Sequence, residues 1–157
     1  MELIIPPIRN AARALILQED KILLLRKDGY ETGERFALPG GGQDIGETLA
    51  EALIRECLEE IGTQVEIRGL ACVADCFKPR DTDPPATRQL VEFLFECTIP
   101  DDYVPVNGSH PDKHQVEVVW VRLDELADTP LYPRSLAPFL SYPGERSGTV
   151  YLGALDW

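Results

Sequence analysis

Three carboxylates and a guanidinium crowd one short run of the chain: Arg55, Glu56, Glu59 and Glu60. If that run is helical, the three glutamates fall within an arc of about 100° on one side. Like charges four residues apart cost an isolated helix roughly 0.2–0.5 kcal/mol per pair, so Glu56 and Glu60 repel mildly. Arg55 offsets part of this as the middle rung of an i,i+4 ladder, Glu51–Arg55–Glu59. A hard divalent cation such as Mg²⁺, which takes oxygen ligands and keeps several waters, would offset the rest. The competing account is a solvated acidic face. The preceding residues weigh against it: Gly40, Gly41, Gly42 and Gly46 form a loop whose backbone can approach a ligand and turn N–H and C=O groups toward it.

The element that must present these acids is a helix over Glu47–Ile61, with both ends written in the sequence. Thr48 followed by Glu51 has capping-box spacing, and Gly62 stands where a left-handed residue ends a helix. Ala50, Leu53, Ile54, Cys57 and Ile61 recur at spacings of three and four, one apolar stripe to bury against a sheet. A phosphate-cradling loop is the nearest rival, because GGQDIGET over 41–48 matches G-x-x-x-x-G-K-[ST] at all but one position. Glu47 stands where lysine is required, and a carboxylate there repels phosphate, so that reading is excluded.

The stretch from Gly41 to Thr63 resembles the signature of the Nudix hydrolases, G-x5-E-x7-R-E-U-x-E-E-x-G-U with U apolar. Gly41, Glu47, Arg55, Glu56, Glu59, Glu60 and Gly62 fill its seven charged and glycine positions over 23 residues. Cys57 takes one apolar position as a small hydrophobe and the polar Thr63 departs from another. Leu38-Pro39-Gly40 also fits. The resemblance implies hydrolysis of a diphosphate linkage with Mg²⁺ or Mn²⁺. It implies metal ligation by Glu56, Glu59, Glu60 and the Gly40 carbonyl, and a Glu47–Arg55 pair that orients loop against helix. Glu56, Glu59 and Arg55 are the implied catalytic residues, with one glutamate or a distant loop acid deprotonating the attacking water. Asp112 and Glu117, near the strand where relatives often supply another acid, are the candidates for it. The chemistry agrees: carboxylates approach an anionic diphosphate only through metal ions, which polarise phosphoryl oxygens and lower the pKa of bound water.

A chain of 157 residues with 44% hydrophobic residues suits a single globular domain over 1–157, with residues 1–9 as an N-terminal arm. The net charge of −12 argues against nucleic acid and against an anionic membrane surface. Cys57, Cys72, Cys76 and Cys97 match no zinc spacing and read as packed thiols. No leader or apolar span is evident, so a cytoplasmic protein is expected.

In order, the arm ends in Pro6-Pro7 and either packs on a second copy, as a homodimer, or frays. Asn10–Gln18 and Lys21–Arg26 read as a hairpin, Lys27–Arg35 as a polar loop, and Arg35–Leu38 as a short strand. Gln64–Lys78 reads as a strand bent at Gly69, Lys78–Arg88 as a charged proline-rich loop, and Gln89–Cys97 as a strand. A long loop over Pro100–Gln115 precedes a strand at Val116–Val121. WVRLDEL over 120–126 resembles a strand-to-helix step common in the C-terminal half of Nudix domains. Ser135–Ser141 is expected as a short helix and Gly148–Leu155 as a terminal strand. Strands joined partly by hairpins, without regular β-α alternation, predict an α/β (α+β) fold with a mixed central sheet. The resemblance implies the same, an α/β/α sandwich with the acidic helix on the sheet.

The expected partner is a small nucleotide. Tyr30 is a candidate to face it, and Phe36, Phe77, Tyr103 and Trp120 are candidates to stack on a base or simply to pack in the core. Pro79 lies near where an ADP-ribose branch often has a proline, in a loop already rich in prolines. The leading expectation is cleavage of a nucleoside diphosphate derivative. The alternatives are a nucleoside triphosphate pyrophosphatase, a non-catalytic nucleotide sensor, and an interaction domain with an incidental acidic helix.

Overall fold

The computed structural model describes residues 3–141 and 150–157. Among the described residues eight strands carry two helices: β1 (Ile4–Gln18), β2 (Lys21–Tyr30), β3 (Gly33–Ala37), β4 (Gly40–Gly42), α1 (Leu49–Ile61), β5 (Glu66–Arg80), β6 (Ala86–Thr98), β7 (Gln115–Arg122), α2 (Leu136–Ser141) and β8 (Tyr151–Leu155). A 3-10 turn, Leu123–Asp128, follows β7. The strands run in the order β3-β2-β1-β6-β5-β8, with β4 also paired to β1 and β7 to β2. The β1/β6 and β5/β8 pairs are parallel and the others antiparallel, so the sheet is mixed as expected.

Alternation along β1 and β2 builds a layer on each face. Ala12, Ala14, Ile16, Leu23 and Leu25 point toward α1, where they meet Leu53, Cys57 and Ile61. Leu15, Ile22 and Leu24 point the other way, onto Leu126, Leu136 and Leu140. The unbroken apolar run of β2 is therefore a strand covered on both sides. All four cysteines are buried and unbridged. Deleting the side chain of a fully buried residue such as Leu53 costs about 2–5 kcal/mol.

Several boundaries differ from the sequence reading. From Ile4 onward the segment read as an arm is the outer end of β1, where Ile4 and Ile5 pair with Thr87 and Arg88 before a register shift; residues 1–2 lie outside the described residues. The loop expected over Lys27–Arg35 is a hairpin, because β2 continues to Tyr30 and turns back at Gly33. Likewise Lys78–Arg88 is mostly ladder, with Lys78 opposite Arg88 and Arg80 opposite Ala86. Backbone pairing overrode polar side chains in the last two places, since strand residues exposed on one face tolerate charge; in the first, the register shift between Ile5 and Arg9 accommodates Pro6-Pro7. β5 shifts register around Gly69, where a bend was expected. Of the predicted terminal strand, Tyr151–Leu155 is observed, while Gly148 and Thr149 lie outside the described residues. No helix among the described residues is long and apolar enough to cross a membrane.

Candidate active site

Capping sets the position of α1. Thr48 accepts from the Glu51 backbone N–H, the Glu51 side chain accepts from Thr48 N–H, and Gly62 closes the helix at φ 71°. The glycine bend is fixed against β1. A Cβ added to Gly40 would stand 2.0 Å from the Ala12 carbonyl oxygen, and Gly40 itself has φ 130°. Only glycine fits that approach.

Arg55 ties bend to helix. Its Nε donates to Glu47 Oε2 at 2.7 Å and its Nη2 to Glu47 Oε1 at 2.9 Å. The same Nη2 donates to the Gly42 carbonyl at 3.1 Å, and Nη1 donates to Glu56 Oε1 at 3.0 Å. Glu59 and Asp44 lie within ion-pair range, at 3.6 and 3.5 Å. A planar fork serving this many acceptors is a task lysine cannot perform. The Arg55 hydrogen bonds hold the Glu47 carboxyl down at about 2.

Glu60 is only 2% exposed. One of its oxygens accepts from Gly40 N–H at 2.8 Å, and the other, also buried, has no hydrogen-bond partner. Burial pushes its pKa up to about 8, against the lowering pull of the Gly40 N–H. Glu56 is raised too, by burial, with Arg55 opposing. Its carboxyl lies against the bend, 2.6 Å from where a Gly41 Cβ would stand. No group of three or more His, Cys, Asp or Glu converges tightly enough to hold an ion among the described residues. Arg55 engages Glu56 and Glu59, while Glu60 turns into the bend. The donors nevertheless suit a hard cation: all are oxygens, and one buried carboxylate oxygen is unsatisfied.

Arg13 and Glu92 were missed by sequence reasoning. Arg13 Nε donates to Glu92 Oε2 at 2.9 Å, and its Nη1 donates to the Gly40 carbonyl at 2.9 Å. The carbonyl assigned to metal ligation is thus held by a guanidinium in this arrangement. The available signal was a charge inside each of two apolar strand runs, since buried charges occur paired or at sites.

Beyond Arg13 opens a cleft lined by cations and aromatic rings. The Arg35 guanidinium lies 4.1 Å from the Tyr30 ring centre and 4.4 Å from that of Tyr132, and its Nε is buried without a partner. Lys78 lies 5.0 Å from the Trp157 ring centre. Tyr30 and Phe36 line the cleft, but Phe77, Tyr103 and Trp120 do not. Tyr103 instead donates to the Ile61 carbonyl at 2.6 Å, and Trp120 packs on the core beneath α1. Tyr132 and Trp157 come from distant parts of the chain and carried no sequence signal.

The two loop acids separate. Asp112 lines the cleft and pairs with Lys27. Burial raises its pKa, but the Lys27 charge and hydrogen bond outweigh this and leave it lowered. Glu117 stands on β7 opposite Arg26 and pairs with it at 2.8 Å, half exposed and outside the cleft.

The NUDIX domain model matches residues 7–141. An ADP-ribose pyrophosphatase from Methanocaldococcus jannaschii is 36% identical over 74 residues, which cover 47% of this chain and 42% of that protein. The match therefore spans less than half of that relative's length. The nucleoside triphosphatase NudI of an Enterobacter species is 30% identical over 118 residues, 71% of this chain and 80% of that protein. A NUDIX hydrolase crystal structure from Nitrosomonas europaea superposes with a TM-score of 0.69 at 22% identity, covering 98% of this chain and 81% of the other. That last likeness concerns the fold alone. With the helix, its glycine bend and the Arg55 clasp in place, the match over residues 7–141 shows that the chain belongs to the NUDIX domain family.

Proposed function

We propose that the chain is a divalent-metal-dependent pyrophosphohydrolase that cleaves the diphosphate linkage of a nucleoside diphosphate derivative. The observation that carries this reading is Glu60: a buried carboxylate with one oxygen on Gly40 N–H and the other unpartnered, on the same glycine whose carbonyl is held by the cleft residue Arg13. Such a group is relieved only by a proton or by a cation. Glu56, Glu59, Glu60 and the Gly40 carbonyl would hold Mg²⁺ or Mn²⁺, with Arg13 giving up that carbonyl. When bound, the ion polarises phosphoryl oxygens and lowers the pKa of water.

The chain's own groups do the rest. Arg55 and Glu47 fix helix against bend, so that the acids keep their geometry. The cleft rings offer stacking faces for a base, and Arg13, Lys27 and Lys78 draw in the phosphates. One water is consumed: its oxygen bonds to phosphorus, the bridging P–O bond breaks, and the bridging oxygen leaves on one product. The water proton passes to Glu56, Glu59 or Asp112 and then to solvent. Glu56 is favoured over Asp112 as the stronger base, since its pKa is raised and that of Asp112 lowered. The four unbridged thiols suit the cytoplasm, where we place the protein.

Incubation of the chain with nucleoside triphosphates, nucleotide sugars and ADP-ribose, with Mg²⁺ and with Mn²⁺, tests the reading when products are identified by mass. Phosphate-bond cleavage abolished by chelator is expected. Tight nucleotide binding with no product from any compound would make the chain a sensor and overturn the proposal.

A further inference from the structure

The names of the relatives disagree over what the far phosphate of the cleaved linkage carries, a sugar or only more phosphate. A second groove in this chain bears on that choice. It runs from Glu56 along the sheet and is lined by Arg9, Arg13, Lys78, Arg80 and Arg88. Five of the chain's 15 Lys and Arg thus share one surface of a protein with net charge −12. The strand register explains the gathering. Lys78 and Arg88 are directly opposed on β5 and β6, Arg80 is one step out along the same ladder, and Arg9 lies on β1 beside Leu90.

Four of the five positive charges in this groove are unpaired among the described residues. Arg13 is paired with Glu92, but Arg9, Lys78, Arg80 and Arg88 have no ion-pair partner among the described residues. The Arg88 Nε is buried with no hydrogen-bond partner at all. The groove's own acids are already engaged, since Asp44 and Glu56 both pair with Arg55. Like charges opposed across a ladder are unfavourable unless an anion lies between them. The space there is about 270 Å³, open on one side.

Arg13 and Lys78 line both this groove and the aromatic cleft, and Glu56 lies beside the junction. A linear substrate can therefore place its base among the rings, its scissile linkage at Arg13 and Glu56, and its far end among Arg9, Arg80 and Arg88. We propose that this arginine groove binds the terminal phosphates of a nucleoside triphosphate, so that what lies beyond the broken bond is phosphate alone and not a phosphate esterified to a sugar. Water adds at one phosphorus, the bridging P–O bond breaks, and the far group departs as inorganic phosphate or pyrophosphate held by the groove. The inference rests on the hydrolase reading for its place in the reaction and, within it, selects a nucleoside diphosphate whose further group is phosphate, the triphosphate alternative, over a nucleotide sugar; the groove can be tested without turnover.

The first arm is calorimetry of the full chain with inorganic tripolyphosphate in metal-free buffer at pH 7. Arg80→Ala and Arg88→Ala should each weaken binding by about tenfold, and the pair by more. Arg80→Lys/Arg88→Lys should restore much of the loss. Arg68→Ala, which removes an equal charge from an exposed site paired with Glu66, should leave affinity within about twofold. The second arm compares kcat/KM, with Mg²⁺, for a triphosphate and a nucleotide sugar of the same base. The wild type should favour the triphosphate, and Arg80→Ala/Arg88→Ala should collapse that preference. Equal loss of tripolyphosphate binding in Arg68→Ala and the groove variants, or preference for the sugar compound, would overturn the groove assignment. If no compound is hydrolysed, the enzyme reading fails, and the calorimetry alone decides the groove.

Discussion

Arg55 grips Glu47 across the bend with two parallel hydrogen bonds, Nε to Oε2 at 2.7 Å and Nη2 to Oε1 at 2.9 Å. Seven residues lie between the two in sequence, and among them runs the turn that enters α1. The fork also reaches Glu56 and the Gly42 carbonyl. Arg55→Lys keeps the charge and loses the fork. It is expected to lower kcat by at least about tenfold while the chain remains folded, and Arg55→Ala by about a hundredfold or more. Steady-state kinetics beside circular dichroism check this; wild-type rates in both variants would sink the clasp.

The same clasp sets an acid-side dependence. Glu47 is held at about 2, below its unfolded value. A depressed carboxyl contributes stability that is present above the ordinary carboxylate range and lost as pH falls through about 2. The melting-temperature gap between wild type and Arg55→Ala should therefore narrow steadily from pH 6 toward pH 2. A gap constant over that range would mean that Glu47 draws no benefit from Arg55.

Glu60 separates stability from activity. Its folded pKa is raised to about 8, so the folded chain prefers it protonated and loses stability as pH rises from the unfolded value toward 8. Glu60→Gln removes the ionisation and keeps an acceptor for Gly40 N–H. In chelator at pH 9 this variant should melt no lower than wild type, yet turn over at least about a hundredfold more slowly with Mg²⁺. Glu59→Gln should show a comparable kinetic loss. Full activity in both would remove them from the metal site.

Asp112 and Glu117 give a paired test of which loop acid serves the cleft. Asp112→Asn is expected to reduce kcat by about tenfold or more, because it removes the acid beside Lys27 and Arg13. Glu117→Gln, paired with Arg26 outside the cleft, should change kcat by less than about twofold. The reverse result would exchange their assignments.

Lys78 supplies a base-side dependence. Burial, with Arg13 and Lys27 adding repulsion, lowers its pKa to about 8. It is charged below that value and neutral above it, so affinity for tripolyphosphate should fall between pH 7 and pH 9 by several-fold relative to Lys78→Arg, which stays charged throughout. Parallel pH profiles for the two proteins would remove Lys78 from the anion site.

The sequence by itself determined α1, its caps and the acid–glycine arrangement, because those rest on local rules: a capping box, a left-handed stop, a stripe at helical period and a signature of fixed spacing. It also carried the mixed sheet, since alternation and turn residues are local as well. It understated β1, β2 and β5, where a proline pair in the first and polar side chains in the others hid strands whose backbones pair all the same. Only the tertiary structure set Arg13 on the Gly40 carbonyl, chose Asp112 over Glu117 for the cleft, and brought Tyr132 and Trp157 to Arg35 and Lys78. Those relations depend on strand register and on chain segments far apart in sequence. A one-residue slip in pairing would turn each of these strand side chains to the opposite face, and no local pattern records which register wins.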